Sequence, residues 1–127
     1  MSAPKAVCVL VVDDNEDMRS FMKIVLERAG YETELAADGQ RALELQRRHP
    51  ADVLVTDIFM PEADGLETIE RFRSEFPRVR IVAMSGGGSV AKLDYLTTAR
   101  EAGADAVLRK PFEAQALLTT LETLATR

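Results

Sequence analysis

The chain has 127 residues, 46% apolar and 29% charged, with 21 acidic against 16 basic side chains and a formal net charge of -5. That length fits one compact domain able to bury a core, and the negative charge disfavours nucleic acid and anionic membrane as partners. A single cysteine, Cys8, excludes an internal disulfide framework, and the longest apolar run, residues 6–12, is too short to span a bilayer, so a soluble cytoplasmic protein is expected.

Residues 6–12 are a continuous β-branched-rich run, suited to a strand buried on both faces and ended by Asp13 and Asp14. Met18, Phe21, Met22, Val25, Leu26 and Ala29 then recur at spacings of three and four, which predicts a helix with these residues inward and Gly30 as its stop. Residues 31–36 read as a second, half-polar strand. Asp38 and Gly39 make a turn, with Asp38 capping a second helix that points Ala42, Leu43 and Leu45 inward and ends before Pro50.

Residues 53–56 are the third strand, ended by Asp57. A loop over residues 58–64 contains Pro61, and Gly65 opens a third helix with Leu66, Ile69 and Phe72 on one face, finished by Pro77. Residues 79–84 are the fourth strand, followed by Ser85 and by Gly86, Gly87 and Gly88. A fourth helix over residues 89–102 is capped by Gly103. Residues 105–109 are the fifth strand, then come Lys110 and Pro111. The last helix, residues 113–125, carries Leu117, Leu118, Leu121 and Leu124.

Strand and helix thus alternate five times, the pattern of an α/β fold: a doubly wound, five-stranded parallel sheet covered on both faces, (β/α)5, with flavodoxin-like strand order 2-1-3-4-5 expected. No repeat, low-complexity stretch or linker interrupts it. Residues 1–127 are expected to be a single domain without an output domain.

Ligands of open α/β sheets bind beyond the carboxyl ends of the strands. There the first strand delivers Asp13 and Asp14, the third Asp57, the fourth Ser85 and the fifth Lys110. Three close carboxylates repel one another, and a hard divalent cation such as Mg²⁺ resolves this through oxygen ligands. Lys110 adds a compact positive charge. Together the cation and Lys110 can screen a phosphoryl group approaching Asp57, a carboxylate able to form an aspartyl phosphate. Ser85 can donate one hydrogen bond to a phosphoryl oxygen.

These residues, in this order, resemble the receiver domain of two-component response regulators over nearly the whole chain. The matching pieces are Asp13-Asp14, Asp57-Ile58-Phe59-Met60-Pro61 with Gly65, Ser85, Gly103-Ala104-Asp105 and Lys110-Pro111-Phe112. The resemblance implies that Asp57 is the phosphoacceptor, charged by a histidine kinase or histidine phosphotransfer protein, with an unknown downstream protein as target. It implies that Asp14, Asp57 and the backbone carbonyl of Phe59 ligate Mg²⁺, that Asp13 acts largely through water, and that Lys110 pairs with Asp57 and then with the phosphoryl group. It also implies a cis Lys110–Pro111 bond, a monomer or weak dimer, and a signalling module that promotes only its own phosphotransfer and dephosphorylation.

The chain departs from the family at Val107, where most members carry an aromatic residue whose ring reports phosphorylation. The signal is then expected to leave through the Ser85 loop and the fourth helix, or the phosphoryl group itself is the output. Phe59 and Gly87 occupy the positions that tune phosphoryl lifetime in the family, and neither side chain can orient an attacking water, so slow dephosphorylation is expected. The glycine run after Ser85 reads as a mobile loop or as one ordered by phosphate.

Elsewhere, Cys8 reads as a buried strand thiol, His49 as a surface residue, the methionines as packing, and the acid run at Glu62 to Asp64 as solvated. Arg71, Arg73, Arg78 and Arg80 are expected to face water. Three other functions compete with the receiver, the first a flavin or nucleotide carrier of the same architecture, which would need a phosphate-cradling loop that the first strand does not lead into. A Mg²⁺-dependent phosphohydrolase of the haloacid dehalogenase type would need Asp-x-Asp after the first strand, where Asp13-Asp14-Asn15 stands. A phosphorylation-independent scaffold of the same fold would have no use for an intact Asp57, Asp14 and Lys110.

Overall fold

The computed structural model describes residues 7–58, 65–85 and 91–125. Phe59, the acid run at Glu62 to Asp64 and the glycine run after Ser85 lie outside them. In chain order the elements are β1 (Cys8–Val12), α1 (Glu16–Arg28), β2 (Glu32–Ala36), α2 (Gly39–Arg48), β3 (Val53–Asp57), α3 (Gly65–Glu75), β4 (Arg80–Ser85), α4 (Ala91–Ala102), β5 (Ala106–Arg109) and α5 (Ala114–Ala125). All strand pairs are parallel, in the order β2-β1-β3-β4-β5. The expected doubly wound topology is therefore the one found.

The pleat sends alternate side chains to opposite faces, and both faces are covered. Leu10, Val12, Leu54, Ile81 and Ala83 pack with Ala42, Leu43 and Leu45 of α2, Ile69 and Phe72 of α3 and Ala99 of α4. Val9, Val11, Val53, Val55, Val82, Met84 and Leu108 pack with Met22 and Leu26 of α1 and Leu117, Leu121 and Leu124 of α5. Continuous apolar strands are the direct result, since a strand with helices on both sides has no solvent face to make polar.

Helix ends follow the local chemistry. Asp38 caps α2, its carboxylate accepting from Arg41 N–H, and Asn15 caps α1 in the same way through Met18 N–H. Gly103, after α4, has φ +127, and a Cβ there would crowd the Arg73 side chain at 3.0–3.1 Å. Fully buried Gln46 closes the turn after α2 by exchanging two hydrogen bonds with the Ala51 backbone.

Several side chains depart from the sequence reading. Phe21 and Ala29 were expected inward on α1, yet Phe21 is 39% exposed and Ala29 is exposed. The apolar stripe is wider than the face that α1 buries, and Phe21 instead lies beside Phe112, with ring centroids 6.5 Å apart. Cys8 is half-buried, because it starts β1 at the open end of the sheet. Arg73 does not face water: its five N–H groups go to the carbonyls of Gly103, Pro77 and Val79 and to the Asp105 carboxylate. Arg80 is half-buried. His49 is exposed, as expected. Among the described residues no helix is long and apolar enough to cross a membrane.

Candidate functional site

Strand register assembles the site. Val12 pairs with Thr56, so Asp13 and Asp57 leave adjacent strands at the same level. Asp57 pairs with Met84, which places Ser85 one step beyond, and Ser85 pairs with Arg109, which places Lys110 one step further. The Lys110 N–H donates to the Ser85 carbonyl at 2.7 Å, and the Lys110–Pro111 bond is cis. The strand order turns between β1 and β3, so these residues stand at the switch point where ligands of such sheets bind.

Gly65 belongs to this frame. Its N–H donates to the Ile58 carbonyl at 3.0 Å. A Cβ there would overlap the Asp57 carbonyl oxygen and come within 2.6 Å of the Ile58 Cα. The glycine eight residues after Asp57 is therefore needed for α3 to start directly against the end of β3.

The side chains form a crowded acidic cluster. Asp13, Asp14 and Asp57 each offer a carboxylate oxygen, and these atoms lie within 4.8 Å of one another. Asp13 is fully buried, Asp57 is 7% exposed, and Asp14 is exposed. Lys110 Nζ bridges two of them, 2.6 Å from Asp13 Oδ2 and 3.2 Å from Asp57 Oδ2. Burial works against the charge on Lys110, but the hydrogen bond to Asp13 and the two carboxylate charges outweigh it and hold the ammonium above the ordinary lysine range. Its closer partner is Asp13 rather than Asp57. Ser85 Oγ is buried and has no hydrogen-bond partner among the described residues. A buried hydroxyl left unpaired is costly and points to a group that the site is built to receive.

An all-oxygen set of clustered carboxylates fits a hard divalent cation such as Mg²⁺. Phe59, whose carbonyl the resemblance adds to this set, lies outside the described residues. Val107 is half-buried against the core on the α3 side of the sheet, and it carries neither ring nor hydroxyl.

Two supports of the site escaped sequence reasoning. Asn15 N–H donates to Asp13 Oδ1 at 2.9 Å, and Arg19 Nη1 donates to the Asp13 carbonyl at 2.7 Å. The first was legible, since an aspartate carboxylate readily accepts from the backbone N–H two residues on. The second carried no signal, because a basic residue in an early helical turn reads as solvated.

The profile of the response regulator receiver domain matches residues 9–122. The chain belongs to the response regulator receiver family. It is 37% identical over 119 residues to Response regulator MprA of Mycobacterium leprae (strain TN), a match covering 94% of this chain and 51% of that protein. The chain thus spans about half the length of the curated relatives it matches. Among solved structures, chemotaxis protein CheY4 of Vibrio cholerae superposes with a TM-score of 0.85 at 32% identity, covering 94% of this chain and 98% of that one. The CheY-like receiver domain protein of Methanospirillum hungatei JF-1 does so with 0.86 at 27% identity, covering 94% and 93%. Receiver domains are signalling modules of two-component systems, and the family binds Mg²⁺ at acidic residues.

Proposed function

We propose that this receiver takes a phosphoryl group from a phosphohistidine, on a histidine kinase or histidine phosphotransfer protein, onto Asp57 in a Mg²⁺-dependent reaction. In this reading residues 1–127 act as a single receiver domain in the cytoplasm, as a monomer or weak dimer. The phosphorylated state is passed on by contact with a downstream protein or by onward transfer. The observation that carries the reading is the juxtaposition of a buried carboxylate, a bridging lysine, two further carboxylates and an orphaned buried hydroxyl at the switch point.

Asp57 supplies the nucleophile. One lone pair of its carboxylate forms the new O–P bond in line with the departing nitrogen, and the N–P bond breaks with its electron pair staying on the imidazole. Asp13, Asp14 and Asp57 would hold Mg²⁺, with the Phe59 carbonyl, and the bound ion supplies charge stabilisation for the phosphoryl oxygens. Lys110 neutralises the negative charge that carboxylate and phosphate bring together, from a position already between Asp13 and Asp57. Ser85 Oγ gains its missing partner by donating to a phosphoryl oxygen. Because Val107 has no ring to move, readout is left to the Ser85 end of β4 and to α4.

Intact mass after incubation with acetyl phosphate tests the reading. One phosphoryl adduct is expected, dependent on Mg²⁺ and absent in Asp57→Ala. On the adduct, amide exchange is expected to change at Ser85 and α4 rather than at Val107. An adduct that persists in Asp57→Ala would overturn the assignment of the acceptor. No adduct from either acetyl phosphate or a phosphohistidine donor, with Mg²⁺ bound, would make the chain a phosphorylation-independent scaffold. Multiple turnover of phosphomonoesters would make it a phosphohydrolase.

A further inference from the structure

We infer that Arg19 is a positioning residue for the metal site, fixing the Asp13–Asp14 peptide and through it the Asp14 carboxylate. The inference rests on reading Asp13, Asp14 and Asp57 as the Mg²⁺ site.

The two acids of the pair are held very differently. Asp13 is tied at every polar atom. Its N–H donates to the Ala36 carbonyl at 3.2 Å, Oδ1 accepts from Asn15 N–H at 2.9 Å, Oδ2 accepts from Lys110 at 2.6 Å, and its carbonyl accepts from Arg19 Nη1 at 2.7 Å. Asp14 is exposed, and its carboxylate has no hydrogen bond to any described residue. Its place in the cluster therefore comes from its backbone. The Asp13 carbonyl and the Asp14 N–H belong to one planar unit, so a bond to that oxygen sets the plane from which the Asp14 side chain departs.

Arg19 is suited to hold that plane. Its own N–H donates to the Asn15 carbonyl in the first turn of α1, a turn capped by Asn15 Oδ1. The side chain is thus rooted on a fixed helix end and reaches back six residues. Acids flank it in sequence at Asp13, Asp14, Glu16 and Asp17, yet it forms no ion pair among the described residues. It spends its donor on a main-chain carbonyl instead. Two effects on a bound cation then oppose each other. The guanidinium charge repels Mg²⁺, but solvent screens that term because Arg19 is half-exposed. The fixed peptide spares the site the entropy of ordering one ligand at each binding event. Positioning prevails.

Calorimetric titration with Mg²⁺ alone, beside thermal melting of the metal-free protein, tests this on wild type, Arg19→Ala, Arg19→Met and Arg19→Lys. The Ala and Met variants are expected to raise the Mg²⁺ Kd by about tenfold. The Met variant keeps the packing and guards against a variant that fails to fold. The Lys variant keeps a charged donor and is expected to restore most of the affinity. A merely structural role would lower the melting temperature and leave Kd unchanged, and that result overturns the inference. A lower Kd in the Ala and Met variants also overturns it, since charge alone would then govern. Asp14→Asn separates the two readings. If wild type binds no Mg²⁺, or binds it as well without the Asp14 charge, the metal reading fails and the inference with it. If Asp14→Asn weakens binding and Arg19→Ala does not, only the inference fails.

Discussion

The sheet carries a partly buried cation at each end, and the two are built on opposite principles. At the amino edge Arg73 joins α3 to the starts of β4 and β5. All five of its N–H groups are used, and Asp105 Oδ2 accepts both from Arg73 at 2.7 Å and from Ile81 N–H at 2.8 Å. At the carboxyl edge one ammonium serves two carboxylates, a third carboxylate stands exposed beside them, and a buried hydroxyl has no partner among the described residues. The first network is closed and can only stabilise. Among the described residues the second is left incomplete, with excess negative charge and an unused donor, and that openness suits the cation and the phosphoryl group proposed for it.

Three experiments would break or sharpen that contrast. The largest effect is expected from Arg73→Ala, which strips partners from Asp105 and three carbonyls. Because the two side chains are 30% and 22% exposed, the loss should fall somewhat below that of a fully buried broken pair, at about 2–3 kcal/mol by urea denaturation. The yield of the acetyl phosphate adduct should not change. A loss too small to measure would mean that the amino edge is not the fixed one.

Ser85→Ala should act in the other direction. Removing a hydroxyl that is buried and unpaired relieves part of its desolvation cost, so stability should rise by up to about 1 kcal/mol while the adduct forms more slowly. A clear fall in stability would show the hydroxyl already satisfied and the carboxyl edge as closed as the other.

The smallest effect belongs to the exposed fork between Arg47 on α2 and Glu75 on α3, at 2.8 and 2.9 Å. The Arg47 hydrogen bond holds the Glu75 carboxyl below its ordinary range. A depressed carboxylate contributes stability that is present above its unfolded pKa and lost as pH falls through its folded pKa. Melting temperature measured downward from neutral pH should therefore show a slight acid loss that Glu75→Gln removes. An acid limb equally steep in that variant would place the dependence elsewhere, with the carboxylates of the carboxyl edge as the next candidates.

The fold was legible because its signals are local. Apolar runs at residues 6–12 and 53–56, ended by aspartates, mark buried strands whose carboxyl ends face a polar rim. Asp38 and Gly30 mark helix ends by their own chemistry. The acidic pair, Asp57, Ser85 and Lys110 were legible for the same reason, since each follows a strand directly. Arg73 was misread because nothing in its neighbourhood reveals carbonyls that lie 30 residues away at Gly103. Phe21 was misread because periodicity shows that a stripe is apolar and not how much of it a neighbour covers.

Sequence by itself thus determined the alternation of strand and helix, the residues at each strand end and the chemical groups they carry, because these depend on side-chain type and short spacing. Only the tertiary structure decided which of those residues share a level. Register set Asp13 beside Asp57 and Lys110 between them, drew Lys110 closer to Asp13, and left Ser85 Oγ without a partner among the described residues. Hydrogen-bond geometry between distant segments has no local signature, and it is that geometry which separates a closed network from an open site.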